Sequence, residues 1–266
     1  MNNWRRRLKH LYRFFIDRPY KPQFLIANQY DVKRVIGMGS YGITYLCKNK
    51  KTRERCVVKQ IRPSKLKNSD TSFYQMEAEI LASLDHISIP KLHDAFHFNR
   101  NQFLVMDYIE GVNLEDVLFD QYNQFNELES LEFLKGLIES VVYLHTHGIT
   151  HGDLRIPNVM VKNAQIYVID FGLAVSLKDK SDQEALELIQ KDLYDLGDFL
   201  LFLLYSSYDP ISRKDRPWTE ELTIHPATEH FIKRLLQIET RFESIDQVRD
   251  HLHKTISIIP NNKTST

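Results

Sequence analysis

The sequence is poor in cysteine and has no long hydrophobic run. Its 266 residues include only Cys47 and Cys56, too few for a disulfide framework, so reduced thiols and a cytoplasmic location are expected. No apolar segment followed by a small-residue cleavage site marks a secretory signal. The longest apolar run, residues 196–205, is interrupted by Asp198 and falls far short of the ~20 residues that span a bilayer. It predicts a buried core helix.

The chain also lacks net charge, with 35 basic and 35 acidic residues. The two signs are unevenly distributed, because the basic residues crowd the N-terminus, where Asp17 is the one acidic residue before position 22. These basic residues are Arg5, Arg6, Arg7, Lys9, Arg13, Arg18 and Lys21. The rest of the chain is therefore mildly acidic, which excludes a general nucleic-acid binder, since such a domain needs a basic folded surface.

Residues 1–29 are predicted to be a basic N-terminal extension. Its apolar residues at helical spacing are Trp4, Leu8, Leu11 and Phe15. Pro19 closes the pattern, which indicates a basic amphipathic helix. One interpretation is that the apolar stripe packs on the domain that follows. The alternative is attachment to an anionic membrane surface or an acidic partner, which would place the protein at the membrane periphery.

Strand patterns come first along the remaining chain. Alternating runs on both sides of a glycine-rich turn in residues 30–46 predict a hairpin, and residues 56–61 predict a third strand. Apolar residues at helical spacing over 72–84 indicate one helix. A further strand is predicted at 103–106.

Helix patterns dominate afterwards. Apolar residues of 131–144 recur at helical spacing, and the helix is expected to end near Gly148. The order of elements predicts an α+β fold with two lobes. Residues 30–110 would form a small antiparallel-sheet lobe with one main helix, residues 111–258 a larger helical lobe, and residues 259–266 a polar tail.

Three glycines mark a candidate phosphate-binding loop. Gly37, Gly39 and Gly42 form G-x-G-x-x-G, and the strand-like run 43–46 follows them. A dinucleotide-binding loop would instead open a helix. The pattern therefore predicts a hairpin whose backbone amides lie over phosphates. A flexible hairpin without a ligand has the same pattern, so this signal is weak alone.

A lysine and a glutamate form the second candidate pair. Lys59 lies on the third strand, where its ammonium could reach phosphates; a solvated strand lysine is the ordinary alternative. Glu77, on the following helix, could hold Lys59 as an ion pair, with Glu79 as the competing carboxylate. Glu77 is preferred because it stands four residues before Leu81 and shares its face.

The most specific pattern occupies residues 151–158 and 168–174. Asp153 is followed five residues later by Asn158, and Asp170 opens an Asp-Phe-Gly triplet after an apolar strand. This arrangement suits a reaction that needs a hydroxyl-orienting base and two metal ligands.

On these motifs, residues 30–251 resemble the eukaryotic-type serine/threonine protein kinases, particularly compact bacterial members with a shortened activation segment. The resemblance implies a two-lobed protein-kinase fold, ATP and Mg²⁺ as cofactors, and transfer of the γ-phosphate to a protein hydroxyl. It implies Asp153 as base, Arg155 near the γ-phosphate, and Asn158 and Asp170 as metal ligands. It assigns nucleotide binding to Ile36, Gly37, Gly39, Gly42, Thr44, Val57, Lys59, Met106, Asp107 and Ile109. It also implies that Asp192 anchors an internal stack containing His151 and Phe171.

Three departures from the family pattern stand out. Gly152 replaces the arginine that pairs with a phosphorylated activation loop, so control by such phosphorylation is not expected. Arg155 replaces the usual lysine. No Ala-Pro-Glu motif lies between Gly172 and Asp192, which leaves Arg241 in need of another acidic partner.

These departures leave two alternative functions open. A small-molecule kinase of the antibiotic or sugar type also has His-Gly-Asp before a distant asparagine. A pseudokinase would act as a binding module without transferring phosphate. The glycine hairpin and the intact Asp-Phe-Gly favour the protein kinase.

Overall fold

A computed structural model describes residues 18–39, 42–61, 72–121, 123–209 and 216–260. The predicted N-terminal helix falls in residues 1–17 and lies outside the described residues, as do the last six residues of the predicted polar tail. The described chain forms two compact units. One holds the residues up to Asp85 together with Pro90–Ile109, and the other holds His86–Ile89 and the chain from Glu110 onward.

The smaller unit is built on a six-stranded antiparallel sheet with one helix, α1 (Ser72–Ser83). In space the strands follow the order β1-β2-β3-β4-β6-β5. The strands are β1 (Leu25–Ile26), β2 (Tyr30–Met38), β3 (Gly42–Asn49), β4 (Arg55–Ile61), β5 (Leu92–Phe98) and β6 (Asn101–Asp107). Successive strand side chains point to opposite faces. One face holds the apolar core, which includes Tyr45, Val58, Phe103 and Val105.

The segment before β2 belongs to this unit. Tyr20 stacks on Phe24 with ring centroids 4.2 Å apart, and its backbone N–H donates to the Tyr45 hydroxyl. Ile26 is fully buried in the core. The folded unit therefore begins about ten residues before the predicted start at residue 30, because a short apolar run pairs with the edge of β2.

The two cysteines lie opposite each other on β3 and β4. Both are free and buried in the core. Burial raises the pKa of both thiols, that of Cys56 to about 11. At neutral pH both are therefore protonated and poorly nucleophilic.

The larger unit is mostly helical, which confirms the predicted α+β fold class. Its helices are α2 (Leu114–Phe119), α3 (Glu127–Thr146), α4 (Asp182–Tyr205), α5 (Trp218–Glu221), α6 (Pro226–Leu235) and α7 (Ile245–Ile258). Short strands complete it: β7 (Val112–Asn113), β8 (Ile149–Thr150), β9 (Val159–Lys162), β10 (Gln165–Val168) and β11 (Val175–Ser176). Two small antiparallel sheets result, β10-β9-β7 and β11-β8.

Helices α3 and α4 form the centre of this unit. Each begins with a capping box, in which the N-cap side chain and a glutamate three residues later bind each other's backbone N–H. The caps are Asn126 with Glu129 and Ser181 with Glu184. The apolar run 196–205 lies in α4 as a core helix, yet Phe202 is 55% exposed. Among the described residues, no helix is long and apolar enough to cross a membrane.

Replacing Ile26 with alanine tests whether the segment before β2 is part of the folded unit. A fully buried isoleucine leaves a cavity, and the expected loss is about 2–5 kcal/mol of unfolding free energy. Met38→Ala is the control, because Met38 is 54% exposed and its loss should cost well under about 1 kcal/mol. Denaturant titration measures both, and equal effects would place residues 20–29 outside the core.

Candidate active site

A buried ion pair joins β4 to α1 in the smaller unit. The Lys59 ammonium lies 2.6 Å from Glu77 Oε1, and the two side chains are 8% and 4% exposed. Glu79, the competing carboxylate, is exposed. The structure thus contains the predicted pair. A desolvated charge pair of this kind holds its ammonium in one place more firmly than a surface pair does.

The three glycines of the loop differ in what surrounds them. A Cβ on Gly42 would lie 3.3 Å from Lys59 Cγ and Cε and 3.0 Å from the Gln60 carbonyl oxygen. A Cβ on Gly39 would meet nothing within 4 Å, and one on Gly37 would make ordinary contacts. Gly42 therefore leaves room for the Lys59 side chain. Residues 40–41, the tip of the loop, lie outside the described residues.

The predicted adenine-binding residues cluster on one face of the small sheet. Thr44 is registered opposite Lys59, and Val57 opposite Met106. Strand alternation puts them on the face opposite the apolar core. The Asp107 N–H donates to the Lys91 carbonyl oxygen, so this N–H is not available to a ligand. Ile36 and Ile109 are half-buried; the nucleotide contacts of all these residues remain predictions.

A buried carboxylate organises the catalytic loop of the larger unit. Asp192 of α4 is fully buried. It accepts hydrogen bonds from the His151 N–H at 2.9 Å and the Gly152 N–H at 2.7 Å. His145 Nε2 of α3 lies 2.9 Å from the same side chain. Asp192 thus satisfies two loop amides that would otherwise be buried without a partner.

The predicted base, Asp153, is held by two neighbours. Its Oδ1 and Oδ2 accept from Arg155 Nε at 2.6 Å and Nη2 at 2.8 Å, and Asn158 Nδ2 donates to Oδ2 at 2.9 Å. Burial by itself would raise the pKa of Asp153, but the hydrogen bonds and charge of Arg155, with help from Asn158, outweigh it. The pKa of Asp153 therefore lies below its ordinary value, and the group is a carboxylate at neutral pH.

The predicted metal ligands, Asn158 and Asp170, are brought together by backbone contact. The Ile169 N–H donates to the Asn158 carbonyl oxygen at 2.9 Å. Asn158 uses Nδ2 toward Asp153, which leaves its amide oxygen as a possible ligand. Asp170 is exposed, with φ of 65°, a strained value for a residue other than glycine.

This donor set fits Mg²⁺. Magnesium prefers oxygen ligands and is commonly held by one or two carboxylates together with phosphate oxygens. No group of three or more His, Cys, Asp or Glu residues that could hold a metal occurs in the described part of the chain. Asn158 and Asp170 would thus hold a metal only in company with phosphates.

His151 and Phe171 make one contact of the predicted internal stack. Their ring centroids are 5.0 Å apart in an edge-on arrangement, and both side chains are buried. Burial lowers the pKa of His151, so the imidazole is neutral and serves as a packing group near Asp153.

The segment after Asp170 is short, as the sequence predicts. Strand β11 pairs with β8, and the Leu177 N–H donates to the Gly148 carbonyl oxygen at 2.7 Å. Helix α4 then begins at Asp182, directly after the Ser181 cap. Arg241 is exposed and makes no ion pair with any described residue, so the predicted substitute partner is not found there.

Sequence reasoning missed two polar residues of α4. Asp195 accepts from the Leu154 N–H at 3.3 Å, and buried Gln190 donates to the Phe242 carbonyl oxygen at 2.7 Å. Asp195 stands three residues after Asp192 and so shares a side of the helix with it, a signal that could have found it. No pattern in the sequence singles out Gln190.

With this geometry in place, comparison with known proteins identifies the family. Residues 30–193, more than half of the chain, match the protein kinase domain. The chain belongs to the protein kinase domain family. The match ends one residue after Asp192, the anchor of the catalytic loop.

Individual relatives agree with this assignment. The chain is 36% identical to the probable serine/threonine-protein kinase YbdM of Bacillus subtilis, over 95% of this chain and 99% of the relative. It is 34% identical to human serine/threonine-protein kinase Nek11 over 60% of this chain, and 28% identical to calcium/calmodulin-dependent protein kinase type II of Caenorhabditis elegans over 71%. These matches cover 26% and 29% of those longer proteins.

The backbone at Gly152 explains why the family's arginine is absent here. Gly152 has φ of 75°, and a Cβ built on it would lie 2.5 Å from the Leu173 carbonyl oxygen. Left-handed backbone alone disfavours a side chain, and the contact adds a clash with main-chain atoms that cannot rotate away. An arginine at this position is incompatible with the present course of the loop.

Gly152→Ala should therefore destabilise the protein more than Gly148→Ala does. Gly148 has φ of 68° but open space around its would-be Cβ, so it controls for backbone strain, worth about 1–2 kcal/mol. The clash at Gly152 should add about 1–3 kcal/mol. Thermal unfolding of both variants measures the difference. Equal midpoints would show that the Leu173 carbonyl moves aside without a cost in stability.

Proposed function

We propose that the protein is an ATP- and Mg²⁺-dependent serine/threonine kinase that transfers the γ-phosphate of ATP to a hydroxyl of a protein substrate. The observation that carries this proposal is the buried Lys59–Glu77 ion pair. Such a pair is a weak source of stability, so its presence favours a site that positions an ammonium for phosphate oxygens. The names of the relatives support the same activity.

In the proposed reaction, the residues of the smaller unit bind the nucleotide. Lys59 would neutralise phosphate oxygens, and Glu77 would fix its direction. The half-buried face that carries Thr44, Val57 and Met106 would hold the adenine, with the Asp107 carbonyl oxygen accepting a hydrogen bond from its edge. The remaining assigned positions, Ile36, Gly37, Gly39, Gly42 and Ile109, would complete the nucleotide site.

The residues of the larger unit handle the acceptor. Asp153, ionised at neutral pH, would accept a hydrogen bond from the substrate hydroxyl and take up its proton as transfer proceeds. Oδ1 keeps one lone pair beyond the one used by Arg155, whereas Arg155 and Asn158 together use both lone pairs of Oδ2. Arg155 would also donate toward the γ-phosphate from its planar guanidinium. When bound by Asn158 and Asp170, Mg²⁺ would neutralise charge on the phosphates.

Control without phosphorylation of the segment after Asp170 is part of the proposal. This segment offers Ser176 and Ser181 as acceptors, and Ser181 is occupied as the N-cap of α4. Gly152 supplies no guanidinium to receive a phosphate. Loss of Ser181 would remove a cap worth about 1 kcal/mol, so its removal acts on stability rather than on a regulatory charge.

A cytoplasmic location, and attachment of residues 1–17 to an anionic membrane surface or an acidic partner, remain predictions from composition. Binding of the intact protein to anionic vesicles at low salt is the direct measurement.

Asp153→Asn tests the proposed chemistry. The substitution keeps the shape but removes the proton acceptor, so transfer from γ-labelled ATP to a library of serine and threonine peptides should fall about 10²–10⁴-fold with the fold retained. Asp179→Asn is the matched control, because Asp179 is exposed and should keep wild-type activity. Near-normal turnover in Asp153→Asn would remove Asp153 from the mechanism. Label on a small metabolite alone, or on nothing, would overturn the protein-kinase assignment.

The pH profile tests the role of Arg155. Because Arg155 holds the pKa of Asp153 below its ordinary value, removing the guanidinium should let Asp153 bind a proton at higher pH. In Arg155→Met the acid limb of kcat/KM should therefore move toward higher pH, in addition to any fall in rate. An acid limb at the wild-type position would show that the limb does not report Asp153.

A further inference from the structure

Helix α4 has an open side near the catalytic loop. Its buried stripe includes Leu196, Phe199 and Leu203. The other side is exposed among the described residues, with Tyr194 at 41% and Phe202 at 55%. Between Glu187 and Phe202, at 100° per residue, six side chains share an arc of about 100°, and Lys191 is one of them. We call Glu187, Tyr194, Asp195, Asp198 and Phe202 the α4 face.

The α4 face runs beside the predicted base. Leu154, the residue after Asp153, donates its N–H to Asp195 Oδ2 at 3.3 Å. Asp192, one turn earlier, holds the two residues before Asp153. A peptide whose hydroxyl reaches Asp153 therefore has the α4 face as a neighbouring surface.

The short segment after Asp170 explains why this face is open. Its chain pairs with β8 through β11 and then enters α4 itself at Asp182. Within the described ranges, a short connection joins β11 to α4, and it does not cover the helix. The exposed aromatic rings are thus left at a place where a polypeptide can contact them.

The charge on the α4 face is negative. Lys191 is paired with Asp195 at 2.6 Å, so these two largely cancel. Asp198 is exposed and makes no ion pair with any described residue. Partial burial, and then the charge of Asp195, raise the pKa of Asp198. A cation placed there would be attracted mainly by Asp198, because Asp195 is already balanced by Lys191.

We propose that the α4 face binds the part of the protein substrate next to the phosphoacceptor and selects a lysine or arginine there. The cation pairs with Asp198, and a neighbouring apolar side chain packs on Tyr194 or Phe202. Acidic and aromatic groups together complement a basic segment with apolar residues. This inference rests on the proposed kinase function and adds a substrate class to it.

The helix geometry sets the expected spacing. Asp198 lies one turn beyond Asp195, about 5 Å along the axis. An extended peptide advances about 3.3 Å per residue. With the hydroxyl at Asp153, the selected cation is expected roughly two to four residues from the phosphoacceptor.

Three matched peptides test the selection. Each has a central serine among alanines. The positions about three residues to either side of the serine are arginine in the first peptide, alanine in the second and glutamate in the third. The arginine peptide should exceed the glutamate peptide in kcat/KM by about fivefold or more, since one favourable exposed pair is replaced by a repulsion. Asp198→Asn should reduce this preference, and Asp198→Lys should reverse it. Glu139→Lys, at an exposed glutamate of α3, is the control and should keep the wild-type order.

A binding measurement separates this inference from the proposed function. Fluorescence anisotropy of the three labelled peptides with the Asp153→Asn protein reports affinity without turnover, and the arginine peptide should bind most tightly. Failure to phosphorylate any peptide, with this order of affinity kept, would count against the kinase function alone.

Other outcomes would overturn the inference. Equal preference for the three peptides, or a preference unchanged by Asp198→Lys, would show that the α4 face does not read the substrate. A change of sedimentation mass in Asp198→Lys would instead assign the face to contact between two copies of the chain.

Discussion

The larger unit depends on the buried carboxylate of Asp192. A charge removed from water is costly unless its lone pairs are filled, and here two backbone amides and an imidazole fill them. Hydrogen bonds to a charged group are each worth about 1.5–3 kcal/mol. One side chain of α4 therefore fixes the residues that lead into Asp153 and ties them to α3 through His145. The position of Asp153 is thus set through its backbone, by a buried side chain of the neighbouring helix.

The smaller unit uses the same device for a different purpose. Lys59 and Glu77 are also buried and also satisfy each other. Replacing such a pair with apolar residues often leaves stability unchanged or improved, so stability does not explain why it is kept. Its value is positional, because the paired ammonium is held in one place, which in the proposed reaction lies beside the phosphates. In both units a charged side chain is buried and loses its hydration, and its hydrogen-bond partners hold it in a defined position.

Motif spacing, together with the family resemblance that it carries, predicted the residues whose chemistry is specific to their type. Asp153, Asn158, Asp170 and the Lys59–Glu77 pair could be selected because carboxylates, amides and ammonium groups at those intervals have few other uses together. The sequence could not predict how Arg155 would engage both oxygens of Asp153, since that depends on rotamers. It also set the start of the small lobe too late, because a two-residue strand such as β1 carries too little pattern to be recognised.

Gly152 is the clearest case of a position where the backbone conformation requires a particular residue type. In the sequence, Gly152 stands where the family has an arginine. In the structure it has a φ of 75°, and a Cβ at this position would lie 2.5 Å from the Leu173 carbonyl oxygen. Two of the departures from the family pattern, the absent arginine and the shortened segment, thus meet at one place, because Leu173 lies in that segment. A Gly152→Arg change by itself would therefore not install a phosphate-binding guanidinium here, because its Cβ would clash with the Leu173 carbonyl oxygen unless that backbone moved.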